Sequence, residues 1–141
     1  MSEVFDEIIQ KCKAAGLRKT KSLEELLHTM IEKAKPMTLS DLIETDRLAD
    51  QCDKVTVYRL LQRLTGAGIV RRLGLHERSA YFALLLPGVC QDYLICTQCD
   101  SIQTIKTACP VHALQEEIAK SSGYKNLHHE LEFFGICPKC A

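Results

Sequence analysis

Apolar positions in the first half of the chain recur at helical spacing in four stretches. Val4, Phe5, Ile8, Ile9 and Cys12 line one face of residues 3–15, and Gly16 ends that face. Leu23, Leu26, Leu27, Met30 and Ile31 form a second stripe, with Ser22 as the expected N-cap and Pro36 as the breaker. Thr38-Leu39-Ser40-Asp41 opens a short third helix carrying Leu39, Leu42 and Ile43. Asp53 is placed to cap a fourth helix, over 53–66, whose core face is Val57, Leu60, Leu61 and Leu64. The period then shortens to that of two strands, over 69–75 and 80–85, joined by a turn containing Gly74, His76, Glu77 and Arg78. After a loop signal at Leu86-Pro87-Gly88, residues 93–96 and 102–106 read as strands. Val111, Leu114, Ile118 and Ala119 line a helix ending near Gly123, and 127–134 reads as a returning strand.

Helix, helix, turn, helix and two-stranded ribbon is the order of a winged helix-turn-helix. The pattern predicts an α+β chain: an N-terminal winged helix-turn-helix domain over 1–86, then a small mixed α/β domain over 87–141. A helix of about 14 residues with one apolar face lies in a DNA major groove with its polar face outward. The helix over 53–66 puts Lys54, Thr56, Tyr58, Arg59 and Arg63 off its apolar face. Arg59 has the fork to meet guanine O6 and N7, and Tyr58 suits a thymine methyl or a phosphate. Arg71, Arg72 and Arg78 fall on the ribbon, where a wing meets phosphates, and Arg18 and Lys19 belong to a basic N-terminal segment.

Composition narrows the class. The 141 residues are 46% hydrophobic, with no apolar run of the ~20 residues a membrane helix needs. The acidic start carries no secretion signal, so a cytoplasmic protein is expected. A net charge of zero hides an asymmetry: residues 1–84 hold 14 Lys and Arg against 12 Asp and Glu, and residues 85–141 hold 4 against 6. Bulk charge does not make a nucleic-acid binder, so DNA contact must come from a local patch.

Eight cysteines in such a chain argue for metal or redox chemistry over disulfides. Four of them form two Cys-x-x-Cys pairs, Cys96 with Cys99 and Cys137 with Cys140. Two residues between cysteines let both thiolates of a tight turn face one ion, and two such knuckles close a tetrahedral zinc shell. A closed shell leaves no position for substrate, so this zinc is expected to be structural. The long gap over 100–136 demands folded structure that brings the chain back. No βαβ setting surrounds either pair, which argues against a dithiol enzyme. Cys12 and Cys52 read as core residues.

The stretch Val55-Thr56-Val57-Tyr58-Arg59-Leu60-Leu61, then Gly66-Ala67-Gly68-Ile69-Val70, resembles the recognition helix and turn of the ferric-uptake-regulator superfamily. Tyr93-Leu94-Ile95-Cys96-Thr97-Gln98-Cys99, Gly135-Ile136-Cys137-Pro138-Lys139-Cys140 and Ala15-Gly16-Leu17-Arg18-Lys19-Thr20 resemble other segments of that family. The resemblance implies a homodimer, joined through its second domain, that binds a palindromic double-stranded DNA operator. It implies a repressor of metal-homeostasis or stress genes, not an enzyme, without a membrane or small-molecule substrate. Tyr58 and Arg59 match the family's base-contacting pair, and the four paired cysteines match its structural zinc site. Where the family carries a His- and Glu-rich sensory site between domains, this chain has Pro36, Ala83, Gln91 and Tyr93, and Leu23 replaces an arginine used in the minor groove.

A second metal set is expected at Cys90, Asp92, His112 and His129, which fall on another of the family's sites. Cys90 and Asp92 are two apart on extended chain and share a face. Cys, Asp and two His suit Zn²⁺ over Fe²⁺ or Mn²⁺, although another divalent ion is an option, and Cys109 is a substitute ligand. The expected function is a metal-dependent repressor nearest the zinc-uptake branch. The alternative is a regulator of the same fold that holds structural zinc only and answers redox state through Cys90 or Cys109, or binds DNA without sensing metal.

Overall fold

The helical spacing of the first half is realised in α1 (Ser2–Ala14), α2 (Lys21–Lys33), α3 (Leu39–Ile43) and α5 (Lys54–Gly66), with a short α4 (Asp46–Ala49) between the last two. The computed structural model describes residues 2–50, 52–74, 80–86, 91–105, 109–125 and 127–141. By internal contacts the chain divides into Met1–Pro87 and Gly88–Ala141.

Side-chain caps set the starts of α2, α3 and α5 in the first unit. Thr20, not Ser22, caps α2: its hydroxyl accepts the Leu23 N–H at 3.2 Å, while Ser22 already lies inside the helix. Thr38 and Asp41 form a reciprocal capping box on α3, at 3.0 and 3.2 Å. Asp53 caps α5 through the Thr56 N–H at 2.7 Å. Hydrogen bonds from Thr56, its side chain first and its backbone N–H second, hold the Asp53 carboxyl below its ordinary range. Arg47 on α4 ties that helix to α2 through Glu32 at 3.1 Å and Glu25 at 3.3 Å.

Strands β2 (Val70–Leu73) and β3 (Tyr81–Leu84) pair antiparallel, and a two-residue β1 (Met37–Thr38) adds to β3, giving the order β1-β3-β2. The core runs from Ile8, Ile9 and Cys12 through Leu23, Leu26, Leu27 and Met30 to Leu42, Leu48, Val57, Leu61, Leu64, Phe82 and Leu84. Burial pushes the Cys12 thiol up, as befits a core cysteine, and Cys52 packs half-buried against the same cluster. The Phe5 and His28 rings stack 4.0 Å apart where α1 meets α2.

The second unit has β4 (Asp92–Cys96), β5 (Ile102–Ile105), α6 (His112–Ser122) and β6 (Glu132–Gly135). β4 is central, antiparallel to β5 and parallel to β6, so α6 lies in the crossover between the outer strands. The returning strand is shorter than its alternation suggested. Pairing with β4 starts at Glu132 opposite Tyr93, and residues 127–131 are not strand. Among the described residues this unit buries only Asp92, Tyr93, Ile95 and Cys96, all on β4, and α6 buries none.

Ala34 ends α2 in the left-handed region (φ 51°, ψ 37°), its N–H bonded to the Met30 carbonyl. A Cβ is disfavoured there by roughly 1 kcal/mol. Ala34→Gly is therefore expected to stabilise the first unit by about that amount, read as a higher urea midpoint with unchanged slope.

Candidate functional site

Parallel pairing of β4 with β6 places both chain ends on the same side of the sheet. Cys96 is in register with Gly135, and the Thr97 N–H donates to the Gly135 carbonyl at 2.7 Å. The turn after β4 carries Cys99, and the turn after β6 carries Cys137 and Cys140. The four sulfurs lie within 4.8 Å of one another, and Cys99 Sγ is 3.8 Å from Cys137 Sγ. Four sulfurs each about 2.3 Å from a common ion are about 3.8 Å apart, the edge of that tetrahedron.

Backbone N–H groups supply the next layer. Gln98, Cys99 and Cys137 each donate to Cys96 Sγ at 3.4 Å. Cys99 Sγ meets the Ser101 hydroxyl at 3.2 Å. The donors from Cys137 and Cys99 pull the Cys96 thiol down to about 6, and Ser101 lowers Cys99. The Cys137 and Cys99 sulfurs push Cys140 up to about 12, because a last thiolate beside three others is repelled. A divalent cation at the centre removes that repulsion, so the donor set fits Zn²⁺ in chemistry and dimension. Among the described residues these four cysteines are the only group of three or more ligand-type side chains close enough to share an ion.

Of the second expected set, the described members Asp92, His112 and His129 do not form a close group. Cys90 lies outside the described residues. His112 is exposed and pairs with Glu116 at 3.2 Å, one turn along α6. His129 is half-buried, its Nε2 3.1 Å from Cys109 Sγ and its Nδ1 hydrogen-bonded to Gln115 Oε1. Asp92 is buried at the start of β4. Reading 127–131 as strand hid this pairing, because it put His129 in a ladder it does not join. The available signal was Cys109 three residues before His112, which marks it as a substitute ligand; Cys109 itself precedes α6.

In the first unit, α5 presents Lys54, Tyr58, Arg59 and Arg63 to solvent, with Thr56 half-buried at its start. Gln62 Nε2 donates to the Tyr58 hydroxyl at 3.2 Å. Arg18 and Lys19 are exposed, Lys19 meeting Glu24 at 3.4 Å. Arg72 is exposed, but Arg71 is only 3% exposed and leaves the surface set. The two alternate across β2, and Arg71 falls on the covered side. Arg78 lies outside the described residues.

A helical unit closed by a small antiparallel sheet is a winged helix-turn-helix arrangement, and a small mixed unit bearing a four-cysteine cluster follows it in the chain. The chain belongs to the ferric uptake regulator family, whose model matches residues 14–134. It is similar over nearly its full length to the Mycobacterium tuberculosis zinc uptake regulation protein, 29% identical over 134 residues, covering 90% of this chain and 97% of that one. The Neisseria meningitidis ferric uptake regulation protein is 31% identical over 85 residues, 60% of this chain, and the match spans 58% of that relative's length. The solved Helicobacter pylori ferric uptake regulator superposes with a TM-score of 0.69 at 20% identity, covering 99% of this chain and 92% of that chain.

Cys137→Ser is expected to abolish tight zinc binding and unfold the second unit while the first retains its helices, read by metal content and circular dichroism. The Cys96 thiol is depressed from its ordinary value to about 6 in the fold, so its contribution is full above the ordinary thiol range and is lost as pH falls through about 6. Each cysteine binds zinc as its thiolate, so zinc retention against a chelator is expected to fall as the pH is lowered, and retention independent of pH would refute the thiolate shell.

Proposed function

We propose that this chain is a metal-dependent, zinc-stapled transcriptional repressor of metal-homeostasis genes, acting as a homodimer on double-stranded operator DNA. The observation that carries the proposal is the outward face of α5, where Tyr58, Arg59 and Arg63 stand exposed on a helix capped by Asp53. Arg59 reads a guanine edge by its bidentate fork, and Tyr58 contacts a neighbouring base or phosphate. Lys54, Arg18, Lys19 and Arg72 hold phosphates and set the register. Sulfur and imidazole ligands support zinc as the metal, because that donor set suits Zn²⁺ over Fe²⁺ or Mn²⁺.

Structural zinc at Cys96, Cys99, Cys137 and Cys140 supplies a cross-link, and its binding free energy is folding free energy for the second unit. We further propose a second, exchangeable metal that starts from the Cys109–His129 pair, with Cys109 in place of His112 and with Cys90 and Asp92 drawn in on binding, since Asp92 does not group with that pair in the metal-free chain. The support is the 3.1 Å approach of Cys109 to His129 and the engagement of His112 with Glu116. Gln115 orients the His129 ring, as partners of ligating histidines do. Metal at this set favours DNA binding only by its higher affinity for the DNA-binding conformer.

Two measurements test this reading. Arg59→Ala is expected to weaken binding to a selected operator by about 1–3 kcal/mol and to relax base preference at one position per half-site. An unchanged preference would remove α5 as the reader. Protein purified without added metal is expected to hold one tight zinc and one removed by mild chelation. Cys109→Ser and His129→Ala should lose the removable ion and His112→Ala should keep it; the reverse pattern would restore His112 as the ligand.

A further inference from the structure

Val55 stands in the first turn of α5 with 57% of its surface exposed, beside Tyr58 at 45%. A β-branched residue at an exposed helical position lowers helix propensity relative to alanine. The side chain packs into no core cluster. At about 100° per residue, Val55, Tyr58, Arg59 and Gln62 fall within an arc of about 100° on one face of the helix. That face is flanked by Lys54 and Arg63, so its surroundings suit a polyanion and not an apolar protein partner. The Gln62 side chain bonds the Tyr58 hydroxyl at 3.2 Å, which draws the phenol toward the C-terminal turn and leaves Val55 uncovered.

We infer that Val55 is a specificity-determining residue that reads the C5-methyl of a thymine in the major groove. The inference rests on the reading of α5 as the DNA-contacting helix. Residues at the N-terminal end of a recognition helix meet base edges, and the thymine methyl is the one apolar group the major groove offers. Four residues of helix rise about 6 Å, close to two base-pair steps of about 3.4 Å, so the thymine lies within two base pairs of the guanine read by Arg59. Val55 contributes no hydrogen bond. It discriminates by burying two methyl groups against a third, an effect about the size of one buried methyl, roughly 3- to 5-fold in affinity.

The test uses the full-length, zinc-loaded protein and an operator it selects from a random duplex pool. Each thymine is replaced singly by uracil, which deletes only the methyl. The wild type is expected to lose roughly 3- to 5-fold at one thymine per half-site. Val55→Ala is expected to bind the unmodified operator with a similar loss and to be indifferent to uracil at that position. Its thermal midpoint should equal or exceed the wild type, because alanine is the better helix former. Stability and operator affinity then move in opposite directions, which a merely structural role would not produce. If Val55→Ala keeps the uracil sensitivity, another side chain reads the methyl and the inference falls. It falls equally if no uracil substitution matters. Arg59→Ala on the same operator separates this from failure of the parent reading: loss of guanine preference with no Val55 effect overturns only the thymine contact, whereas intact guanine preference overturns both.

Discussion

The second unit depends on the parallel pairing of β4 with β6. An antiparallel return would put the two cysteine turns at opposite ends of the sheet. The parallel register sets Cys96 beside Gly135 and brings Cys99 and Cys137 to 3.8 Å across a separation of 38 residues. Little else holds this unit in a single chain. Its described buried side chains all belong to β4, and α6 contributes none. So small a core does not offset the ordering entropy of more than fifty residues, and units of this size draw on metals, disulfides or partners. Closing a loop of 38 residues constrains the unfolded chain by about 4 kcal/mol in the chain-entropy account, where a cross-link between knuckles gains most.

The first unit is built on the opposite plan. Its helices and three-stranded sheet share one continuous apolar cluster, and side-chain caps set the starts of α2, α3 and α5. A capped helix on a packed core keeps its outer face fixed while that face is free to vary. The exposed residues of α5 are thus available for recognition at little cost to the fold, and Arg71 shows the limit of that freedom. One residue from exposed Arg72, it is committed to the covered side of β2.

Much of this was legible in the chain. Asp53 and the Thr38–Asp41 pair announced their helices because short polar side chains at those positions satisfy free N–H groups. Thr20 and Ser22 are both good capping residues only two positions apart, and the geometry selects Thr20. The four residues of α4 and the two of β1 are too short to show a period. The paired cysteines were readable as a metal shell from spacing alone. The direction of β6 was not, since parallel and antiparallel returns use the same alternating residues. Residues 127–130 alternate like a strand yet precede the ladder, which the Leu131 carbonyl opens by accepting the Tyr93 N–H at 3.2 Å, and His129 meets Cys109 and Gln115 instead. Of the two β2 arginines, charge suits both to a surface but alternation along the strand leaves only Arg72 there.

The separation of the two knuckles also has a kinetic side. Cys96 and Cys99 leave the ribosome before the thiols that complete their shell, and at 5–20 residues per second the interval is about 2–8 s. During that time a half-built dithiol is open to oxidation, to a wrong metal or to another chain. Assembly of the second unit is thus sensitive, during that interval, to how reducing and how zinc-replete the surroundings are, and not only to the affinity of the finished site.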